Sequence, residues 1–201
     1  MIPLLSLNHI KSGYNNLPVI EDISLHIDGG EMWGIIGPNG AGKTTLIKTI
    51  SGLLKPLQGS VKINNRELKK INHRQRAQKI AVVKQSMTPA FITVYDYLML
   101  GRHPYFKNFQ FRESKQDRDT VKQYLKLTNI EKYAGHYINQ LSGGELQLAQ
   151  IARAFIQQPE LLLLDEPTAH LDITHQIKIL DLLLKQNREN GLTVIMIQHD
   201  L

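Results

Sequence analysis

"MWGIIGPNGAGKTTLIKTISGLL", residues 32–54, runs from unbroken apolar sequence through a glycine-rich loop into an amphipathic stretch. The apolar part, 32–37, predicts a strand buried at the centre of a sheet, because only a strand covered on both faces lacks polar alternation. Leu46, Ile47, Ile50, Leu53 and Leu54 recur at helical spacing over 43–54, and Gly52 with Pro56 marks the stop. Between them, Gly37 to Thr44 matches G-x-x-x-x-G-K-[ST]. Glycines let such a loop curl so that amide N–H groups point at phosphate oxygens, and the helix that follows adds the positive end of its dipole. Lys43 is then expected on the β- and γ-phosphates and the Thr44 hydroxyl on Mg²⁺.

The rest of the chain repeats this alternation. Residues 19–27 alternate apolar and polar as a half-buried strand does, and 59–65, 81–85 and 192–199 read as further strands. Four consecutive leucines at 161–164 fit a strand or a helix, but Pro159 and Pro167 leave room only for a strand over 160–167. Residues 87–140 have few glycines, many charges and helical periodicity, so they read as a helical insert. Buried strands mixed with helices imply an α/β fold, a parallel sheet with helices on both faces. A chain of 201 residues with 42% hydrophobic content suits one domain.

Bulk chemistry narrows the class only a little. The formal charge is +6 and the pI about 9.4, with the basic residues dispersed rather than gathered into a block. Cys is absent, which excludes a disulfide framework and a thiolate zinc site. The first residues lack the basic, apolar and small-residue order of a secretion signal, and no run reaches the roughly 18 apolar residues of a membrane span. A soluble cytoplasmic protein is expected.

Two other segments carry chemistry. "LLLLDE" puts Asp165 at the carboxyl end of a buried strand, the edge where open α/β sheets bind ligands, and an acid there can hold Mg²⁺. Glu166 beside a γ-phosphate can orient or deprotonate the attacking water. "NQLSGGELQLAQIARAF", 139–155, opens an amphipathic helix with Ser142, and Glu145 three residues on completes a capping box. A serine cap does not account for the adjacent Gly143 and Gly144, which expose backbone donors as an anion site requires. One phosphate loop already encloses a nucleotide, so this second loop is expected to face the nucleotide of another chain.

"GPNGAGKT", "QLSGGE", "LLLLDEP", "AHLD" and "QHD" stand in an order and spacing that resemble the nucleotide-binding subunits of ABC transporters over essentially the whole chain. The resemblance implies a P-loop NTPase (RecA-like) core with a mostly parallel sheet, an N-terminal antiparallel β subdomain and an inserted helical subdomain. The core would comprise 1–86 and 145–201 and the helical subdomain 87–144, with the chain truncated at its C-terminus. It implies two subunits packed head to tail around two ATP molecules. ATP contacts would come from Tyr14, stacked on adenine, from Gly37, Asn39, Gly40, Ala41, Gly42, Lys43, Thr44 and Thr45, and from Ser142, Gly143, Gly144 and Asp172 across the interface. Thr44, Gln85 and Asp165 would serve Mg²⁺, and Glu166, His199, Gln85 and Lys43 the hydrolysis. Leu-Gln-Leu at 146–148 departs from relatives that carry a basic side chain after this loop.

Within the family, "TVYDYLMLGRHPYF" (93–106) and "PTAHLDITHQ" (167–176) resemble the ATPases of importers for iron-siderophores, haem and cobalamin; importers of zinc or manganese are the near alternative. The resemblance implies permease partners in the membrane, a solute-binding protein, a homodimer on the inner membrane face and no nucleic acid. A non-transport ABC ATPase acting on ribosomes or DNA is the alternative from another class.

Overall fold

The computed structural model describes residues 2–85, 91–106, 112–169 and 171–198. The leucine run forms β7 (Leu161–Asp165), with all five residues buried. It lies between β6 (Ile80–Val83) and β8 (Thr193–Gln198), and β8 pairs in turn with β3 (Met32–Ile36), giving a parallel sheet of order β3-β8-β7-β6. Leu161 and Leu163 join Ile195 and Ile197 in one core, whereas Leu162 and Leu164 join Val194 in a second core on the opposite face. Both sets are excluded from water, at about 1.5–3 kcal/mol for each fully buried leucine, which is why the sequence here lacks a period of two.

The first core is closed by α1 (Lys43–Ile50) and by an antiparallel sheet. That sheet has the order β2-β1-β4-β5, built from β1 (Leu5–Tyr14), β2 (Leu17–Ile27), β4 (Gln58–Ile63) and the short β5 (Arg66–Glu67). Asn15 and Asn16 both have positive φ, 51° and 63°, the geometry of a two-residue primed turn that asparagine tolerates. The turn folds β2 back on β1 and leaves Tyr14 at the end of its strand. The second core is closed by α3 (Val94–Met99), α4 (Lys115–Leu127), α5 (Gly143–Ile156) and α6 (Ile173–Asn190), whose Leu98, Val121, Ile151 and Ile179 are fully buried. A shorter helix, α2 (His73–Lys79), precedes β6.

Two expectations change. The strand at 32–37 is real but not central: β3 forms the edge of its sheet, pairs only with β8 among the described residues, and leaves Trp33 and Ile36 41% and 54% exposed. An apolar run reports the capacity to be covered on both faces and cannot by itself distinguish a middle strand from an edge strand. The helix expected over 43–54 stops at Ile50, with Gly52 at φ 71° closing the turn. Strands β1 and β5 and helices α2 and α6 had no counterpart in the sequence reading. The boundary expected at 86/87 falls outside the described residues.

An ion pair deep in the helical layer braces α5. Arg102, in a 3₁₀ segment following α3, donates from Nε to Asp117 Oδ1 at 2.9 Å and from Nη1 to the Ile156 carbonyl at 3.2 Å, with its guanidinium 4.1 Å from the Tyr105 ring. Both charged residues are about 95% buried. Burial alone would raise the Asp117 carboxyl, but hydrogen bonds from Ser114 and Arg102 hold it below the usual carboxylate range.

Candidate active site

Every side chain of the first cluster stands at or beyond the carboxyl end of a parallel strand or of β1. β3 runs into the loop 37–42, in which Gly40 (φ 80°) and Gly42 (φ 87°) take left-handed backbone that other residues adopt only under strain. A Cβ on Gly42 would also meet Val19 of β2 at 3.2 Å, so the antiparallel sheet presses directly on the loop. Lys43 is nine-tenths buried and donates from Nζ to the carbonyls of Gly37 and Pro38, at 2.5 and 2.9 Å. Its charge is thereby fixed on the rim of the loop. α1 has no acidic residue in its first turn, so the positive end of its dipole stays uncompensated there.

β7 delivers the acids. Thr44 Oγ1 donates to Asp165 Oδ1 at 3.3 Å, and Gln85, just past β6, donates from Nε2 to Glu166 Oε2 at 2.6 Å. Glu166 has φ 52°, left-handed backbone for a residue with a side chain, and its amide donates to the Ile197 carbonyl on β8. Such an outlier marks a place where the surrounding structure overrides local preference.

Two adjoining cavities gather these groups. One of about 240 Å³ is lined by Tyr14, Asn39, Gly40, Ala41, Gly42, Lys43, Thr44, Thr45 and Glu166, with Val19. The other, about 580 Å³, shares Tyr14 and Thr44 and adds Gln85, Asp165 and Lys48. Lys48 escaped the sequence reading: its Nζ donates to the Tyr14 hydroxyl at 3.2 Å and lies 5.5 Å from the ring centroid, and this bond holds the phenol below its usual range. A lysine one helical turn past the motif carries no signal until β1 is placed beside α1. Gly37 lines neither cavity but supplies a carbonyl to Lys43.

The second cluster lies at two helix starts and lines neither cavity. Ser142 caps α5, its amide donating to Glu145 Oε2 at 2.9 Å and its Oγ accepting from the Glu145 amide, the capping box read from sequence. Asp172 caps α6, accepting from the His175 amide at 2.9 Å and pairing with His175 Nδ1 at 2.7 Å. Those two bonds, the backbone one first, hold its carboxyl below the usual range. A Cβ on Gly143 would meet nothing within 4 Å, whereas Gly144 lies against the His175 ring. His199 lies outside the described residues.

Parallel strands that deliver a glycine loop, a buried lysine and an acidic pair to one edge define a P-loop nucleotide hydrolase. The family model described as ABC transporter matches residues 20–169, and the chain belongs to that family. It is 38% identical over 198 residues to the iron(3+)-hydroxamate import ATP-binding protein FhuC of Bacillus subtilis strain 168, covering 98% of this chain and 73% of that protein. It is also 38% identical over 190 residues to the ferric enterobactin transport ATP-binding protein FepC of Escherichia coli K12, covering 94% of this chain and 70% of that protein. Among solved structures, the dimeric ABC transporter cassette MJ0796 superposes with a TM-score of 0.85 at 32% identity, over 98% of this chain and 88% of that one. The same cassette is known in a dimeric post-hydrolysis state bound to ADP and Pi. The chain is accordingly an ATP-binding, ATP-hydrolysing cassette.

Proposed function

We propose that this cassette powers the import of iron chelates of the siderophore, haem or cobalamin type, working as a head-to-tail homodimer beneath membrane permease subunits that a solute-binding protein supplies. One observation carries the reading: the groups expected to surround ATP fall into two clusters, the first lining the two adjoining cavities and the second lining neither of them. A second copy, donating its Ser142, Gly143, Gly144 and Asp172, would complete each site. The dimeric cassette supports the pairing, and the relatives named for iron(3+)-hydroxamate and ferric enterobactin support the chelate class. Among the described residues no helix is long and apolar enough to cross a membrane. Residues 87–144 are read as a helical subdomain facing the permease, and 1–86 with 145–201 as the core.

In this mechanism Tyr14 stacks on adenine and the loop 37–45 cradles the phosphates. Lys43, Gln85, His199 and the partner's Ser142 hold the γ-phosphate for in-line attack, and Glu166 polarises the water. Mg²⁺ fits the donor set: Thr44, Gln85 and Asp165 line one cavity, and their hydroxyl, amide and carboxylate oxygens are hard donors, the Gln85 amide nitrogen being taken up by Glu166. Such a site suits an ion that takes its other ligands from phosphate and water, and that neutralises charge on the β- and γ-oxygens when bound.

Glu166→Gln tests the chemistry. ATP should still bind while phosphate release falls by about 10²–10⁴-fold, and near-normal turnover would remove Glu166 from the role of base. Affinity capture of the tagged protein from native membranes tests the coupling. Recovery of a polytopic permease supports transport, whereas recovery of ribosomes or DNA without one overturns it.

A further inference from the structure

The two adjacent glycines at the start of α5 have different surroundings. A side chain at Gly143 would enter open space, but a Cβ at Gly144 would come within 2.6 Å of both Cγ and Nε2 of His175. Gly144 does not take the left-handed backbone that glycine is usually kept for. Alanine would suit its helical position better than glycine does, so neither conformation nor helix propensity explains the residue. The space does: the imidazole ring occupies the volume that a Cβ would fill.

The same ring is tied at its other edge. Asp172 accepts from the His175 amide at 2.9 Å and faces His175 Nδ1 at 2.7 Å. An ionised carboxylate only accepts, so Nδ1 carries the proton in this pair. The side chain is about one quarter exposed, and rotation about its χ angles is opposed by the carboxylate on one side and by the α5 backbone on the other. His175 thus touches, within one protomer, the two loops that the proposed function sends across the interface from opposite helix starts. Among the described residues, the side-chain hydrogen bonds and ion pairs of Ser142 and Asp172 stay within their own helix starts, Ser142 with Glu145 and Asp172 with His175.

We propose that His175 is a positioning residue, locking the start of α5 to the start of α6 so that Ser142, Gly143 and Asp172 meet the second protomer as one edge. It rests on the reading that both loops face a partner's nucleotide. With the lock in place, closing the dimer does not require the two loops to be ordered separately, so ATP-driven association would lose less conformational entropy. Nucleotide binding to the isolated cassette does not involve this edge.

The test uses the full chain carrying Glu166→Gln, which should accumulate the ATP-bound dimer. His175→Ala should raise the ATP concentration for half-maximal dimerisation, followed by sedimentation, by about ten-fold. Binding of a fluorescent ATP analogue to the monomer and the melting temperature should stay at parental values, which a merely structural role would not allow. His175→Asn, which keeps an N–H near the Nδ1 position, should recover part of the loss. Gly144→Ala should impair dimerisation, and Gly144→Ala combined with His175→Ala should dimerise better than Gly144→Ala alone because the clash is gone. Parental dimerisation in His175→Ala, or a double variant no better than Gly144→Ala, overturns the inference while leaving the head-to-tail reading intact. A Glu166→Gln parent that stays monomeric with ATP overturns the head-to-tail reading and this inference with it.

Discussion

The two clusters of the site are assembled by opposite means. At the ends of β3, β6 and β7 the partners come from distant sequence: Thr44 meets Asp165, and Gln85 meets Glu166 across 81 residues. At the starts of α5 and α6 each polar side chain bonds within its own first turn, Ser142 with Glu145 and Asp172 with His175. The first cluster is therefore a product of strand register and exists only when the sheet is complete. The second is made of local capping motifs that the rest of the fold has only to orient. If this contrast holds, lesions in the two should separate nucleotide binding from dimer-dependent turnover.

Among lesions that separate the two clusters, the largest effect is expected at Lys43, where binding and turnover should fail together. Lys43→Ala removes the buried cation from the loop rim and should lower phosphate release by about 10²–10³-fold, with ATP binding lost as well. A variant that still bound ATP at parental strength would break the contrast, because the first cluster would then not be the seat of binding. Next comes the brace on α5. Asp117→Ala leaves the Arg102 guanidinium buried without its partner and should cost about 3–5 kcal/mol in urea unfolding. Measured where the protein is folded, monomer ATP binding should be retained while turnover falls.

The Asp117 carboxyl also carries a pH signature. Because its folded value lies below its unfolded one, its contribution is present above the ordinary carboxylate range and is lost as pH falls through the folded value. Asp117→Asn should therefore flatten the acid limb of urea midpoints plotted against pH, and an unchanged limb would mean that other carboxylates set it.

Leu163→Ala sharpens the contrast from the other side, since β7 positions Asp165 and Glu166 while its faces join both cores. A loss of about 2–5 kcal/mol is expected, with binding and turnover weakened together. Smallest in stability is Ser142→Ala, about 1 kcal/mol for a lost cap. Its turnover should drop further than that destabilisation explains, with monomer ATP binding unchanged. Parental turnover would leave Ser142 a helix cap and nothing more.

The sequence disclosed the residues whose type is dictated by chemistry or by capping, and it disclosed least where geometry is irregular. The phosphate loop, the acidic pair and the Ser142 capping box were legible because each needs particular side chains at fixed spacing. β1 was not, because its period of two is broken: pairing with β2 shifts between Leu7 and Ile10 and again between Ile10 and Ser12, and His9 takes φ 46°. α6 could have been read from its bracket, Asp172 as N-cap and Gly191 as a left-handed stop, with Ile179 and Leu183 at helical spacing between them. The edge position of β3 and the contacts of Lys48 and His175 depend on which elements become neighbours. That information lies in tertiary packing, and no local pattern of residue types encodes it.

Glu166 adds a consequence of another kind. Its left-handed backbone, φ 52°, costs on the order of 1–3 kcal/mol relative to a residue that adopts this region freely. Glycine at 166 would relieve that strain and remove the carboxylate together, so Glu166→Gly is a substitution that could make the protein harder to unfold and unable to turn over ATP. Screens for thermal resistance alone would favour it. If Glu166 is the base proposed above, robustness and catalysis are opposed at this position, where a carboxylate stands against the preference of its own backbone.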